Sequence, residues 1–465
     1  MNKKLKKLYV QLFVIFAITV TANLFFNSSC HQNENQRLDQ TKIPQQKKHF
    51  TCIIFIAARN DLKSYAPHNI KQMELIGSNQ NLNIIVQHHT STKKNGKLSK
   101  TIFVEQNKQT VLQEFKDLDS GSDTTLINLC DYVIKNFPAE HYAIFFWDHG
   151  TGALEPIDDT QFKNKRFSLE FLYANWKHAY QLPFSQTIII EDLAPQKAVC
   201  FDDESASCLN EKKLRNALSY ITNSLLHGKK IDIIGFDACL MSMIEVAASI
   251  HEYADYMVAS QNTELGPGWN YSRVFAPFLL GPIPPELFSK HIVSAYAQTY
   301  GATKDFTHSA LLLSATKSLV DNISLVAELL KNGLKQQKSN TVALMIHKSK
   351  GRHNCARFDE PSFIDLHHFY SNMLQNLSII EMANAQHATL LKQKLHRALE
   401  AGLQLIQALV IANKAGSLFP HAQGVSIYFP EIMIHPSYLY SYFSKNSSWR
   451  SLLIEYLVKH SSQLS

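Results

Sequence analysis

Short, mostly apolar runs constrain this chain more than any other feature. They occur at Thr51–Ala58, Leu82–Gln87, His141–Trp147 and Ile231–Phe236. A strand with one wet face would alternate; runs like these are expected of strands buried on both faces. Helical stretches lie between them, one through Met73 to Ile76 and another over Leu126–Asn136, stopped near Pro138. Thr101–Glu105 reads as a further strand. Strand and helix in alternation predict an α/β fold with a mostly parallel central sheet covered on both sides. Hydrophobic residues are 45% of the chain, enough for a sizeable core.

Outside those runs the chain divides by composition. Residues 1–30 have the layout of a secretory signal: Lys3, Lys4, Lys6 and Lys7, an apolar run from Leu8 to Phe26, then Asn27-Ser28-Ser29-Cys30. A cysteine directly after small residues resembles a lipoprotein cleavage site, with Cys30 as the lipidated residue and the membrane as a partner. The alternative is an uncleaved anchor, since the run is about long enough to span a bilayer; Gln11, Thr19, Thr21 and Asn23 weaken it. Either way the chain is expected to be exported to the cell envelope or secreted. Residues 31–48 are polar and read as a flexible tether. A first folded domain is expected over 49–302, with an insertion at about 152–199. Residues 303–465 read as a mainly helical C-terminal region, with periodicity over Leu311–Leu334 and Leu390–Asn413 and a strand at Gly424–Phe429. Thr341–Ile346 fits either a strand or a helix turn.

Charge and cysteine usage exclude some functions. Four of the +7 formal charges sit on the lysines of the first seven residues, so the rest is near neutral. That gives no case for nucleic-acid binding. The 7 cysteines show no paired spacing and no CxxC, so a disulfide scaffold is not expected. A monomer is expected. No GxSxG elbow and no phosphate-binding glycine loop occurs. His251-Glu252 opens like a zinc-peptidase helix, but position 255 is Asp. His88-His89 and His367-His368 are adjacent pairs; neighbours in a regular strand point to opposite faces, so neither pair is expected to share one metal. No metal site is therefore expected.

Two strand ends carry the chemistry. Ile144-Phe145-Phe146-Trp147-Asp148-His149-Gly150 ends in an imidazole, and Ile233-Ile234-Gly235-Phe236-Asp237-Ala238-Cys239 ends in a thiol. In parallel α/β sheets, sites form at the carboxyl ends of strands. A thiolate with an acid–base group in reach is what nucleophilic catalysis by cysteine needs. Gly150 would leave space for substrate and a free N–H, which with the Cys239 N–H would form an oxyanion hole. Leu240–Ile250 is expected to continue as a helix, placing Cys239 at a helix N-terminus, where a thiol ionises more easily. The plain alternatives are a satisfied structural histidine and a buried core cysteine. His227-Gly228, by contrast, follows a helical run and reads as a helix end with a glycine stop.

Those two strand ends resemble the catalytic motifs of the clostripain family of cysteine peptidases, which belongs with caspases, gingipains, legumain and separase. Trp147-Asp148-His149-Gly150-Thr151-Gly152 is similar to that family's histidine motif, and Gly235-Phe236-Asp237-Ala238-Cys239-Leu240-Met241 to its nucleophile motif. The segments Ala254–Met257, Ser260-Gln261, Pro267–Tyr271 and Gly424–Pro430, with Trp449, extend the resemblance over roughly residues 50–456. It implies a caspase-like α/β/α sandwich with a helical C-terminal extension. It also implies cleavage of protein or peptide substrates after Arg or Lys, with no organic cofactor. Asp237 matches the family's acidic residue of the primary specificity pocket, a role a carboxylate can fill by pairing with a guanidinium or ammonium; a helix N-cap is its alternative. Glu264 is a second candidate for the same cleft. The family is often made as a precursor cut after a basic residue, and Lys163, Lys165 and Arg166 offer such a site in the insertion. Some relatives use calcium, for which Asp202, Asp203 and Glu204 form an acidic cluster; as plain loop carboxylates they need no ion. Arg59 departs from the pattern, standing where the family usually has an acidic residue. The contrasting reading is a non-catalytic binding lipoprotein on the same fold, which requires Arg59 or the insertion to block the cleft.

Overall fold

Each apolar run becomes a strand of one sheet. The computed structural model describes residues 46–92, 96–154, 198–336 and 340–464. Their main sheet has nine strands in the order β12-β10-β9-β8-β5-β1-β2-β3-β4. These are β1 (Lys48–Ala57), β2 (Leu82–Thr92), β3 (Gly96–Glu105), β4 (Lys108–Lys116), β5 (Ala139–Trp147), β8 (Ile231–Asp237), β9 (Ala254–Ala259), β10 (Thr307–Leu312) and β12 (Val410–Ala415). The central strands β2, β1, β5, β8 and β9 are parallel. Antiparallel strands close both edges: β3 and β4 on one side, β10 and β12 on the other.

Alternation within the central strands feeds two cores. Ile53, Phe55, Ile144, Phe146, Ile234 and Phe236 face one side, under helices Asp123–Asn136, Glu211–Tyr220, Ile244–Ile250 and Thr316–Lys335. Ile54, Ile56, Phe145, Trp147 and Ile233 face the other, under helices Ala66–Ile76, Tyr271–Phe275 and Pro285–Tyr300. Period-two side-chain placement on strands that are apolar on both faces favours this three-layer arrangement. The fold is a caspase-like α/β/α sandwich.

Past residue 303 the chain is mostly helical, and Thr341–Ile346 resolves as part of helix Asn340–Lys350. Yet β10 and β12 come from this region and extend the main sheet. Two small antiparallel pairs complete the description: β6 (Ala198–Asp202) with β7 (Ser207–Asn210), and β11 (Phe363–Asp365) with β13 (Ser426–Tyr428). No helix among the described residues is long and apolar enough to cross a membrane.

Candidate active site

The sheet order itself places a crevice. From β1 the chain goes to β2 on one side, whereas β5, β8 and β9 lie on the other. The reversal between β1 and β5 is a topological switch point, where α/β sheets open a cleft beyond the strands' carboxyl ends. Trp147 of β5 pairs with Asp237 of β8. His149 and Cys239 each stand two residues beyond that pair, so both leave the sheet at the same height.

Glycine permits the close approach of the two segments. A Cβ on Gly150 would lie 2.6 Å from the Cys239 carbonyl oxygen, and one on Gly152 2.6 Å from that of Leu240. The space beside Gly150 is thus filled by the nucleophile segment's own backbone and not kept for substrate, contrary to the expectation from sequence. Gly150 also pairs with Val199 in an isolated antiparallel bridge.

The turn after the thiol differs from expectation too. Helix Ile244–Ile250 begins well past Cys239, with Met243 as its N-cap residue. Before it, Leu240 adopts a positive φ of 64°. The Leu240 N–H donates to the Asn262 carbonyl at 3.1 Å and the Ser242 N–H to the Ser260 carbonyl at 2.8 Å. The backbone after Cys239 is therefore tied to the segment following β9 and cannot close helical hydrogen bonds. Cys239 does not sit at a helix N-terminus. Burial pushes its thiol up, and the Asp359 and Asp237 carboxylates act in the same direction. Its Sγ lies 4.0 Å from the Glu264 carbonyl oxygen.

His149 is held from the segment that follows β1. Its Nε2 is 2.6 Å from Asp61 Oδ1, which leaves Nδ1 free of that contact. The hydrogen bond to His149 is the main cause holding the Asp61 carboxyl below its usual range. Next to it, Asn60 Nδ2 donates to Asp148 Oδ1 at 2.6 Å and to the Ala57 and Phe201 carbonyls at 3.1 and 3.2 Å. Asp148 is buried and also accepts the Phe201 N–H. Asn60 and Asp61 were not singled out from sequence, although they follow an apolar strand as His149 does.

Arg59 turns away from the cleft. It is 2% exposed, and its guanidinium pairs with Asp202 at 2.7 Å and donates to Ser99 Oγ at 2.8 Å and to the Leu118 carbonyl. Asp202 also accepts from the Ser120 N–H and hydroxyl. It is therefore consumed in a buried ion pair and is not an open loop ligand for calcium; Asp203 and Glu204 are exposed. Burial alone would raise the Asp202 carboxyl, but the Ser120 amide and Arg59 outweigh it and hold it low.

Close to the thiol lie two buried carboxyls. Asp237 ends β8 and accepts from the Trp269 N–H at 3.0 Å and the Tyr271 hydroxyl at 2.8 Å, so it caps no helix. Glu264 is hydrogen-bonded to it. Both are buried, at 4% and 7% exposure. Glu264 Oε1 is 3.5 Å from Trp269 Nε1 and from His308 Nε2, and its Oε2 has no partner. Burial raises Asp237 to about 7, and burial with the Asp237 charge drives Glu264 well above the carboxylate range. His308 offers no compensating charge: burial pushes it down to about 3, and it stacks neutral on Tyr296. No Lys or Arg pairs with either carboxyl among the described residues. The C-terminal region reaches this cleft through the Asp359 N–H, which donates to Asn262 Oδ1 at 2.8 Å. Cys30, Lys163, Lys165 and Arg166 lie outside the described residues.

A thiol and an imidazole on neighbouring strand ends of this sheet place the chain among the caspase-like cysteine peptidase folds. More narrowly, it belongs to the clostripain family, whose sequence profile matches residues 54–169 and 187–456. Clostripain of Hathewaya histolytica is 25% identical over 173 residues, which cover 34% of this chain but only 24% of that protein. The fold is similar to a secreted C11 cysteine protease from Bacteroides thetaiotaomicron in complex with an irreversible peptide inhibitor, at TM-score 0.55 and 19% identity over 87% of this chain and 99% of that one. It is equally similar to an inactive zymogen C11 protease from Parabacteroides distasonis, at TM-score 0.54 and 19% identity over the same shares.

Proposed function

We propose that this chain is a cysteine endopeptidase that cleaves after Arg or Lys, with Cys239 as nucleophile and His149 as its acid–base partner. The observation that carries the specificity is the Asp237–Glu264 pair, two buried carboxyls with one oxygen unpartnered and no protein cation beside them. A buried carboxylate left unpaired is costly, and a guanidinium or ammonium from substrate would relieve it. In this reading the Cys239 thiolate attacks the carbonyl carbon, and N–H groups of Cys239 and Gly150 hold the oxyanion. As the sulfur attacks, His149 takes the thiol proton on Nδ1 and then gives it to the leaving amine as the C–N bond breaks. It then takes a proton from water, which hydrolyses the thioester and frees the thiol. Asp61 orients the ring through Nε2. Burial raises the Cys239 thiol, so its ionisation in this reading accompanies proton transfer to His149.

The reading extends to maturation and address. Self-cleavage at Lys163, Lys165 or Arg166 is compatible with a preference for basic residues, and a family relative is described as a zymogen. Export, with lipid on Cys30 as the anchor, follows from the first thirty residues; Cys30→Ser should abolish labelling by a fatty-acid analogue. The test of activity uses fluorogenic peptides ending in Arg, Lys or Asp. Cleavage after Arg or Lys that vanishes in Cys239→Ala supports the proposal. No cleavage of any peptide, even after light trypsin treatment, would favour a non-catalytic binding protein on this fold.

A further inference from the structure

We propose a zinc-class metal site at the amino ends of β1 and β5, on the opposite edge of the sheet from Cys239, formed by His49, Glu140 and His141. One ligand atom from each lies within 4.8 Å of the other two. The register brings His49 to Glu140, since Lys48 pairs with Ala139 and Phe50 with His141. Glu140 and His141 are neighbours at the very start of β5, where regular strand alternation would part them, but their ligand atoms converge on His49 all the same. The His49 and His141 rings meet edge-on with centroids 5.0 Å apart.

The hydrogen bonds fix which nitrogens are left for a metal. His49 Nε2 is 3.0 Å from the Ile283 carbonyl oxygen, which only accepts, so the proton sits on Nε2. Neutral His49 then turns its Nδ1 lone pair to Glu140 Oε2 at 2.9 Å. Two acceptors at that distance need a cation between or beside them, either a second proton on the ring or a metal. His141 Nδ1 is 2.6 Å from Asp232 Oδ1, which leaves Nε2 as its metal-binding nitrogen. Asp232 is itself fixed, accepting the Tyr142 N–H at 2.8 Å through its other oxygen. A carboxylate behind one histidine and a carbonyl behind the other are the supports that orient imidazoles at metal sites. Two imidazoles and one carboxylate suit Zn²⁺, with water completing a tetrahedron on the exposed side of Glu140. Such an ion would fasten the first strand to β5 and to the segment at Ile283, away from the cleft. It is independent of the catalytic reading.

The full chain, purified in detergent and carrying Cys239→Ala to remove the thiol of the candidate active site, is stripped with a chelator and titrated with Co²⁺ and then Zn²⁺. One Co²⁺ per chain is expected, with tetrahedral absorption and no sulfur charge-transfer band, displaced by Zn²⁺. Saturating Zn²⁺ should raise the melting temperature. Glu140→Gln and His141→Ala should each weaken binding at least about tenfold, and Asp232→Asn about tenfold with all three ligands intact. Absence of saturable binding would leave a plain His49–Glu140 ion pair and overturn the proposal. So would binding unchanged in the Glu140 and His141 variants, or a sulfur band.

Discussion

At the residue scale, the Asp237–Glu264 pair carries a pH signature and, in the proposed function, the preference for basic residues. Asp237 has an ordinary value of 3.8 and is raised to about 7 in the folded chain. A raised folded value means that its stabilising contribution is complete below about pH 4 and is lost as pH rises through 7. Asp237→Asn should therefore be more stable than the parent at pH 8 and level with it near pH 4, in urea melts at the two pH values. The same substitution should cost at least about a hundredfold in kcat/KM for Arg substrates, since it removes a charge-assisted contact worth about 3 kcal/mol. For the parent enzyme, KM for basic substrates should rise as pH falls from 8 to 6, because the carboxyls that attract the cation become neutral. His149→Ala should lower kcat by about 10²–10⁴-fold. Asp61→Asn should lower kcat by about tenfold or less with KM unchanged, since the pair is exposed.

At the element scale, the β6–β7 pair depends on one buried contact. Arg59 and Asp202 both have fully buried side chains, and Arg59 also bridges to Asp202 through the backbone. Removing one partner strands a charge in the interior. Arg59→Ala or Asp202→Ala should cost about 3–5 kcal/mol in denaturant unfolding. Because the Asp202 carboxyl is held low, its contribution is present above its ordinary range and lost as pH falls through the folded value. Arg59 illustrates how element-level reading falls short. From sequence it was a departure from the family pattern, capable of blocking the cleft. Its role depends on Asp202, Ser99 and Leu118, distant along the chain and next to it only in the fold. The turn at Cys239 is similar: apolar residues from Leu240 onward read as helix, but the carbonyls of Ser260 and Asn262 capture the amides that a helix would use.

At the scale of the whole molecule, the region past residue 303 is structurally part of the peptidase sheet. β10 pairs with β9 and β12 with β10, and Asp365 accepts from Gln261 and from the Gln423 N–H beside the cleft. A chain ending at residue 302 would expose an edge of β9 and the apolar face beneath helix Thr316–Lys335. It should fail to give a soluble, cooperatively melting protein, which expression and circular dichroism would show. The sequence by itself did not show the edge strands β4, β10 and β12; it determined the central parallel strands, their burial on both faces and the strand ends bearing His149 and Cys239. These follow from local periodicity and from motifs contiguous in the chain. Only the tertiary structure decided the setting of the thiol, the Asp61 contact to His149, the Arg59–Asp202 pair and the meeting of Asp237 with Glu264. Each of these depends on contacts between segments far apart in sequence, whose partners are chosen by strand order and burial, and no local pattern encodes that choice.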